Sequence, residues 1–172
     1  VNGVARHKAR ISFAPNFAIA LTTRRCKVEQ AREWDLSALK VMGCGAEPIQ
    51  ADTLREFTAF FGEHSKFDPG AFMPAYGMAE ATLSMALHPL GKGLVTRRVL
   101  ADTFENEGLA VIADAQSGAT NGSTVEHVDC GPAIPGHAFQ VIDPDGTALP
   151  DAQQGELCFK GPSLTKGYYN NP

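Results

Sequence analysis

Residues 76–83 read Tyr-Gly-Met-Ala-Glu-Ala-Thr-Leu and directly follow the short apolar run of residues 71–75. The apolar run predicts a buried strand that ends at Tyr76-Gly77, and the residues from Met78 to Ala81 favour a helix. A strand, a loop and a helix in this order are typical of an α/β fold. In such a fold the loop lies at the carboxyl edge of a parallel sheet, where ligands bind.

The same order of elements occurs once more, earlier in the chain. The apolar residues 39–44 predict a strand, and the Gly-Cys-Gly-Ala-Glu-Pro sequence at 43–48 predicts a tight turn. Thr53 and Glu56 have the spacing of a capping box, and the helix that they open is expected to end near Gly62. Its apolar stripe consists of Leu54, Phe57 and Phe61. Both loops are therefore predicted to lie at one edge of a largely parallel sheet.

The composition changes after about Lys92, where glycine, proline, threonine and asparagine become more frequent and helical periodicity disappears. We therefore expect an α/β fold, with a partly parallel sheet flanked by helices and followed by a smaller β-rich, barrel-like subdomain. The predicted division is an α/β subdomain at 1–92 and the β-rich subdomain at 93–172.

Within the second subdomain, short patterns predict individual elements. Residues 139–142 and 157–160 are predicted strands, and Pro-Asp-Gly at 144–146 predicts a hairpin turn. Residues 114–124 are small and polar, which predicts a loop.

Composition also excludes several classes of protein. The chain has 172 residues, of which 44% are hydrophobic, so it can bury a core. Its formal net charge of -4 gives no basic surface for a nucleic-acid backbone. No apolar run approaches the roughly 20 residues that cross a bilayer. We therefore expect no nucleic-acid partner and no membrane span.

The cysteines and histidines indicate neither a metal site nor a redox site. The four cysteines lie at positions 26, 44, 130 and 158 and form no Cys-x-x-Cys pair. They are expected to be reduced, apolar filler in a cytoplasmic protein. The five histidines are scattered along the chain and are expected to be surface or hydrogen-bonded residues rather than ligands.

Two side chains within residues 76–83 are suited to binding a ligand. Tyr76 offers a flat aromatic face, and such a ring stacks on a purine for roughly 1–3 kcal/mol. Glu80 is an oxygen ligand, and magnesium prefers one or two carboxylates together with phosphate oxygens. Each also has an ordinary interpretation, as a core tyrosine and as a solvated carboxylate at a helix N-terminus. The short pattern by itself favours the ordinary interpretation.

Four motifs that occur in a fixed order favour the functional interpretation instead. They are Ala-Pro-Asn-Phe-Ala at 14–18, Gly-Ala-Glu-Pro at 45–48, the stretch at 76–83, and Gly-Glu-Leu running on to Gly-Tyr-Tyr-Asn over 155–170. Their order and separations resemble the adenylate-forming superfamily. The first motif, Trp-Asp-Leu-Ser-Ala-Leu-Lys-Val at 34–41 and Ala79 make the chain most similar to the fatty acyl-AMP ligases. We assign the last motif a structural role rather than a catalytic one.

The resemblance implies a reaction in two steps. A fatty acid attacks the α-phosphorus of ATP to give acyl-AMP and pyrophosphate, and the acyl group then passes to a thiol. The implied acceptor is the phosphopantetheine of an acyl carrier protein or coenzyme A. The implied cofactors are ATP or AMP and Mg²⁺.

The resemblance also assigns roles to particular residues. Glu80 would be the catalytic residue that binds Mg²⁺, and Tyr76 would stack on adenine. The remaining residues fall into three groups: Gly45, Ala46, Glu47 and Pro48 in the adenine pocket, Gly77, Met78 and Ala79 under the ribose-phosphate and acyl carbonyl, and Pro15, Asn16 and Phe17 along the acyl channel.

Some parts that the resemblance implies do not occur in this sequence. They are the lysine-containing phosphate loop, the later Thr-Gly-Asp segment and the C-terminal domain with its catalytic lysine. We therefore expect an internal fragment of an N-terminal domain that is inactive by itself, because electrostatic stabilisation is usually the largest catalytic contribution. Two alternatives stay open: an acyl-CoA synthetase, and a non-catalytic binding or scaffold module.

Overall fold

The computed structural model describes residues 1–113 and 122–170, in which helices and strands are interspersed. The helices are α1 (Asn2–Arg6), α2 (Asn16–Arg25), α3 (Val28–Arg32), α4 (Ala51–Ser65) and α5 (Ala101–Glu107). The strands are β1 (Ile11–Pro15), β2 (Val41–Gly45), β3 (Phe72–Met78), β4 (Leu83–Leu87), β5 (Thr96–Leu100), β6 (Thr124–Val128), β7 (Ala138–Ile142) and β8 (Glu156–Lys160). Single 3-10 turns at Pro69–Ala71 and Ala79–Ala81 precede and follow β3.

Four strands form the main sheet in the order β1-β2-β3-β4. The first three run parallel, with Pro15 opposite Gly45 and Cys44 opposite Pro74, and β4 runs antiparallel to β3. The first four residues of β2 are buried, as expected for a parallel strand covered on both faces. The predicted α/β fold with a partly parallel sheet is therefore confirmed.

The core lies between α2, α4 and one face of this sheet. Leu54, Phe57 and Phe61 of α4 are all buried, so the predicted apolar stripe is confirmed. The ring centroids of Phe57 and Phe61 are 4.4 Å apart, and Phe57 meets Phe72 of β3 edge-on at 5.6 Å. Each buried aromatic side chain contributes about 1.5–3 kcal/mol, so this cluster anchors α4 on the sheet.

The ends of α4 differ from the prediction. The helix begins at Ala51 with Gln50 as its N-cap residue, so Thr53 lies inside it and the predicted capping box with Glu56 is wrong. The helix continues past Gly62 to Ser65. It stops there because Lys66 adopts a left-handed φ of 55°.

Residues 76–83 fold as the end of a strand and a turn rather than as a loop and a helix. β3 continues through Tyr76 and Gly77 to Met78, and the predicted helix is replaced by the 3-10 turn at Ala79–Ala81. Thr82 then adopts a left-handed φ of 59°, which reverses the chain so that β4 pairs with β3. Pairing with β4 thus overrides the helical preference of these residues, and the predicted helix is wrong.

The second half of the chain contains two antiparallel pairs, β5 with β6 and β7 with β8. The predicted strands at 139–142 and 157–160 are therefore confirmed. The turn at 144–146 is confirmed as well, because the amide of Gly146 donates to the Asp143 carbonyl at 3.0 Å.

Other expectations for the second half fare differently. The helix α5 contradicts the expected loss of helical structure after Lys92. A barrel-like arrangement is not confirmed, and the division at residues 92 and 93 stays a prediction. Most of the predicted loop at 114–124, residues 114–121, lies outside the described residues.

A charged cluster joins α4 to β6. The Arg55 guanidinium donates two hydrogen bonds to the Glu126 carboxylate, at 2.6 and 2.8 Å, and the Thr96 hydroxyl donates a third at 2.6 Å. These donors, Arg55 above all, hold the pKa of Glu126 at about 2, so this carboxylate is charged at neutral pH. The cluster fixes β6 against the first half of the chain.

The cysteines are free thiols, as expected. Burial raises the pKa of Cys44 to about 12, so this thiol stays protonated. His88 departs from the prediction that histidines are exposed or hydrogen-bonded. It is 5% exposed, and neither of its ring nitrogens has a hydrogen-bond partner among the described residues.

Within residues 1–113 and 122–170, none of the helices has both the length and the apolar character that crossing a bilayer requires.

Candidate functional site

The two predicted loops meet at the carboxyl edge of the main sheet. Gly45, at the end of β2, lies so close to β3 that a Cβ atom on it would stand 2.7 Å from the Ala75 carbonyl oxygen. The next residue, Ala46, has a left-handed φ of 68°, a conformation that costs free energy for a residue with a side chain. The prediction that both loops share one edge is therefore confirmed.

Two cavities open at this edge, and both are lined by Ala46, Ala75, Tyr76 and Gly77. We call them the loop cavity and the sheet cavity. The loop cavity, of about 550 Å³, is completed by Glu47, Pro48, Ile49, Gln50, Val125, Glu126, His127, Val128 and Cys130. The sheet cavity, of about 260 Å³, is completed by Phe13, Ala14, Pro15, Gly43, Gly45, Leu83, Ser84 and Leu87.

The loop cavity lies between the turn that follows β2 and the strand β6. Tyr76 is 45% exposed, so it is not the core tyrosine of the ordinary interpretation. The walls of the loop cavity combine the Tyr76 ring with polar side chains such as Glu47 and Gln50. A flat ring with polar edges, such as a nucleobase, matches that combination. Sequence reasoning missed the wall from β6, which only the tertiary fold brings here.

The sheet cavity is almost entirely apolar. Pro15 lines it, in agreement with the residues predicted for an acyl channel, whereas Asn16 and Phe17 do not. An apolar wall of this kind suits an alkyl chain. The glycines of β2 and the apolar residues of β4 that complete it were not singled out from the sequence.

The side chains of Asn16 and Glu47 also bind the ends of helices, a role that the sequence does not predict. The Asn16 side-chain oxygen accepts from the amide of Gln50 at 3.0 Å, and the Glu47 carboxylate accepts from the amide of Phe17 at 2.5 Å. The first residue of α2 thus caps α4, and the loop after β2 caps α2. Neither Asn16 nor Phe17 lines the sheet cavity, since Asn16 is buried at the helix ends and Phe17 is largely exposed, and their predicted place along the acyl channel stays a prediction.

Replacing Asn16 by alanine is expected to lower the free energy of unfolding by about 1–2 kcal/mol, because the amide at the start of α4 loses its acceptor. Urea unfolding followed by circular dichroism measures the change. Asn16→Asp keeps an oxygen acceptor and serves as the matched control, with stability close to that of the parent. Equal stability of all three proteins would contradict the capping role.

Glu80 is held by the motif at 155–170, for which the sequence predicts a structural rather than a catalytic role. The Tyr168 hydroxyl donates to Glu80 Oε1, and the Thr165 amide donates to the Glu80 carbonyl at 2.8 Å. The Thr82 hydroxyl also donates to the Ser163 carbonyl, at 2.7 Å. The bond from Tyr168 holds the pKa of Glu80 below its usual range, so the carboxylate is charged at neutral pH.

The role of Glu80 as a magnesium ligand stays a prediction, and its charged carboxylate is compatible with that role. No three histidine, cysteine, aspartate or glutamate side chains in the described part of the chain are grouped so as to hold a metal ion. Glu80 follows Gly77, which lines both cavities, by three residues. A single charged carboxylate is the kind of ligand that Mg²⁺ combines with phosphate oxygens and water. Met78 and Ala79 line neither cavity, so their predicted place beneath a bound nucleotide stays a prediction.

Gly77 is the point where the two cavities and β4 meet. A Cβ atom on it would overlap the Leu83 carbonyl of β4, and the register between β3 and β4 shifts between Tyr76 and Gly77. Only a residue without a side chain allows this close approach of two backbones.

Paired loops at the carboxyl edge of a parallel sheet are the place where α/β proteins bind ligands, nucleotides among them. Comparison with known proteins makes this assignment specific. The chain belongs to the AMP-binding enzyme family, whose model matches residues 1–169. The resemblance inferred from the motifs is therefore confirmed at the level of the family.

Three similar proteins show where the chain fits. A structure from a study of fatty acyl-adenylate ligases of E. coli and L. pneumophila has a TM-score of 0.91 at 33% identity, over 98% of this chain and 30% of that one. The L. pneumophila ligase in complex with acyl adenylate and pyrophosphate has a TM-score of 0.87 at 32% identity, over 99% and 29%. JamA of Moorena producens, a medium-chain-fatty-acid--[acyl-carrier-protein] ligase, is 32% identical over 97% of this chain and 28% of its own length. The chain therefore spans less than a third of each of these proteins.

Proposed function

We propose that residues 1–172 form part of an ATP-dependent fatty acyl-AMP ligase. The observation that carries this proposal is the pair of cavities that meet at Tyr76 and Gly77, one with polar walls and one with apolar walls. A nucleotide in the first and an alkyl chain in the second would bring an α-phosphate and a carboxylate together at their junction. Positioning two reactants in this way removes a large part of the entropic barrier.

In this proposal the adenine ring occupies the loop cavity. Tyr76 stacks on the base, and the backbone of Gly45 to Pro48 lines its edge. The Ala46 turn and Tyr76 border the same cavity, which supports this placement. The strand β6 closes the opposite side and is held there by the Arg55–Glu126 ion pair.

Glu80 would hold the Mg²⁺ ion, which when bound neutralises charge on the phosphate oxygens. The chain's own contribution is to keep this carboxylate charged and oriented, through Tyr168 and the backbone bond to Thr165. The α-phosphate would also need cationic groups that these residues do not supply, so we propose that the chain alone is inactive.

The acceptor of the acyl group in this proposal is the phosphopantetheine thiol of an acyl carrier protein in the cytoplasm. The name of JamA supports a carrier protein as acceptor. The experiment supplies a full-length enzyme that contains residues 1–172 with ATP, a fatty acid, and either a carrier protein or coenzyme A. Rapid formation of acyl-CoA would reject the carrier-protein assignment in favour of an acyl-CoA synthetase.

Replacing Tyr76 by alanine in that full-length enzyme is expected to weaken binding of a non-hydrolysable acyl-AMP analogue. Loss of one stacked base costs roughly 1–3 kcal/mol, which corresponds to about 5-fold to 150-fold in Kd. Isothermal titration calorimetry measures the change, with Tyr76→Phe as a control that keeps the aromatic face. Unchanged affinity of Tyr76→Ala would favour the non-catalytic scaffold.

A further inference from the structure

A track to which β2 contributes no side chains runs along one face of the main sheet. On β2, Gly43 and Gly45 are two residues apart and therefore point to the same face. Their register partners on β1 are Phe13 and Pro15, which belong to that face too. Both glycines line the sheet cavity, where Gly43 is buried beneath the Phe13 ring and Gly45 is partly exposed. An alkyl chain could therefore lie against the backbone at Gly45 and extend toward the ring that covers Gly43.

Phe13 closes this track at the end away from the sheet edge. A Cβ atom on Gly43 would overlap the ring carbons Cδ1 and Cε1 of Phe13, so the ring lies flat across the glycine. The ring is nevertheless 63% exposed, and its open side borders the sheet cavity. It stands two residues, about 7 Å, back from Pro15 along the strand.

We propose that Phe13 is a specificity-determining residue that sets how long a straight-chain fatty acid the site accepts. This inference rests on the proposed function. It adds the feature of the substrate that the site distinguishes, which is the length of the alkyl chain. The carboxylate end lies near Gly77, the alkyl chain runs over Gly45 toward Gly43, and its far end meets the Phe13 ring. Chains that end before the ring fit this space, and longer chains collide with the ring.

Two substitutions at the same contact are expected to act in opposite directions. Phe13→Ala removes the ring and opens the track, so longer chains gain contact, at roughly fourfold in affinity for each additional buried methylene. Gly43→Ala places a methyl group where the ring lies and forces the ring into the cavity, which shortens the track. Phe13→Leu should fall between the parent and Phe13→Ala.

The experiment measures kcat/KM for acyl-AMP formation from octanoate, dodecanoate and hexadecanoate, with the full-length enzyme. Phe13→Ala is expected to raise the ratio of hexadecanoate to octanoate at least tenfold, and Gly43→Ala to lower it. In the double variant Gly43→Ala should have little further effect, because the ring it displaces is gone. Should Gly43→Ala fail to fold, judged by circular dichroism, Phe13→Leu and Phe13→Ala alone carry the test.

Ile11→Ala is the matched control, because Ile11 lies on the same strand and face and is 62% exposed but does not line the cavity. The ratio of kcat/KM for hexadecanoate to kcat/KM for octanoate should be the same in Ile11→Ala as in the parent. Active variants of Phe13 with an unchanged ratio, or a changed ratio in Ile11→Ala, would overturn the inference while leaving the proposed function standing. A parent enzyme that adenylates none of the three fatty acids would overturn both.

Discussion

Replacing Glu80 by glutamine in a full-length enzyme that contains residues 1–172 is expected to lower the rate of acyl-AMP formation by about 100-fold or more, since a charge-stabilising group that acts in the transition state contributes on this scale. Glutamine keeps the size of the side chain and an oxygen that can accept from Tyr168. It loses the negative charge that the proposed Mg²⁺ site requires.

The measurement is ATP–pyrophosphate exchange at several magnesium concentrations. The Glu80→Gln enzyme should need more magnesium for half of its residual activity, which a purely structural role would not produce. Glu105→Gln, on the exposed side of α5, is the control and should match the parent. If Glu80→Gln retains full activity with the parent's magnesium dependence, Glu80 is an ordinary solvated carboxylate.

Replacing Gly77 by alanine is expected to lower the free energy of unfolding by about 2–4 kcal/mol, because added volume in a tightly packed site forces backbone shifts. The new Cβ atom would overlap the Leu83 carbonyl, so β3 and β4 must separate at their irregular pairing. Tyr76 directly precedes this position, and its ring should lose its place between the two cavities. The KM for ATP should therefore rise together with the loss of stability.

Urea unfolding and steady-state kinetics measure the two effects. Gly62→Ala, within α4, is the matched control. Its Cβ atom would make only an ordinary contact, at 3.7 Å from the Phe67 carbonyl oxygen. That control should gain about 0.5–1 kcal/mol, as alanine favours a helix over glycine. A Gly77→Ala protein as stable as the parent would show that β4 does not approach β3 as closely as described.

Individual elements show how far the sequence predicts the fold. The strand at β2 and the apolar stripe of α4 followed from local patterns, since burial on one or both faces leaves a periodic trace. The helix expected at Met78–Ala81 was wrong because its preference is weak and the pairing of β3 with β4 is stronger. The cap of α4 was wrong for a similar reason, because its acceptor, Asn16, lies 34 residues away from Gln50.

The candidate site shows the same division. Tyr76, Glu80 and the turn at 45–48 could be named from their motifs, and the edge at which they meet followed from the parallel arrangement. The sequence did not predict that Pro15 lines the sheet cavity while Asn16 and Phe17 do not, because neighbours in sequence face different sides of an element. The wall from β6 and the ring of Phe13 left no local signal, and the motif at 155–170 gave no indication that Tyr168 contacts Glu80.

The sequence by itself determined the family, the α/β architecture and the motif residues, because these depend on residue type and on spacing along the chain. Only the tertiary structure decided which side chains line each cavity, which ones cap a helix and which ones hold Glu80. Those roles depend on distances between residues that are far apart in sequence. Such distances are set by the packing of the whole sheet and its helices, and a local pattern does not contain them.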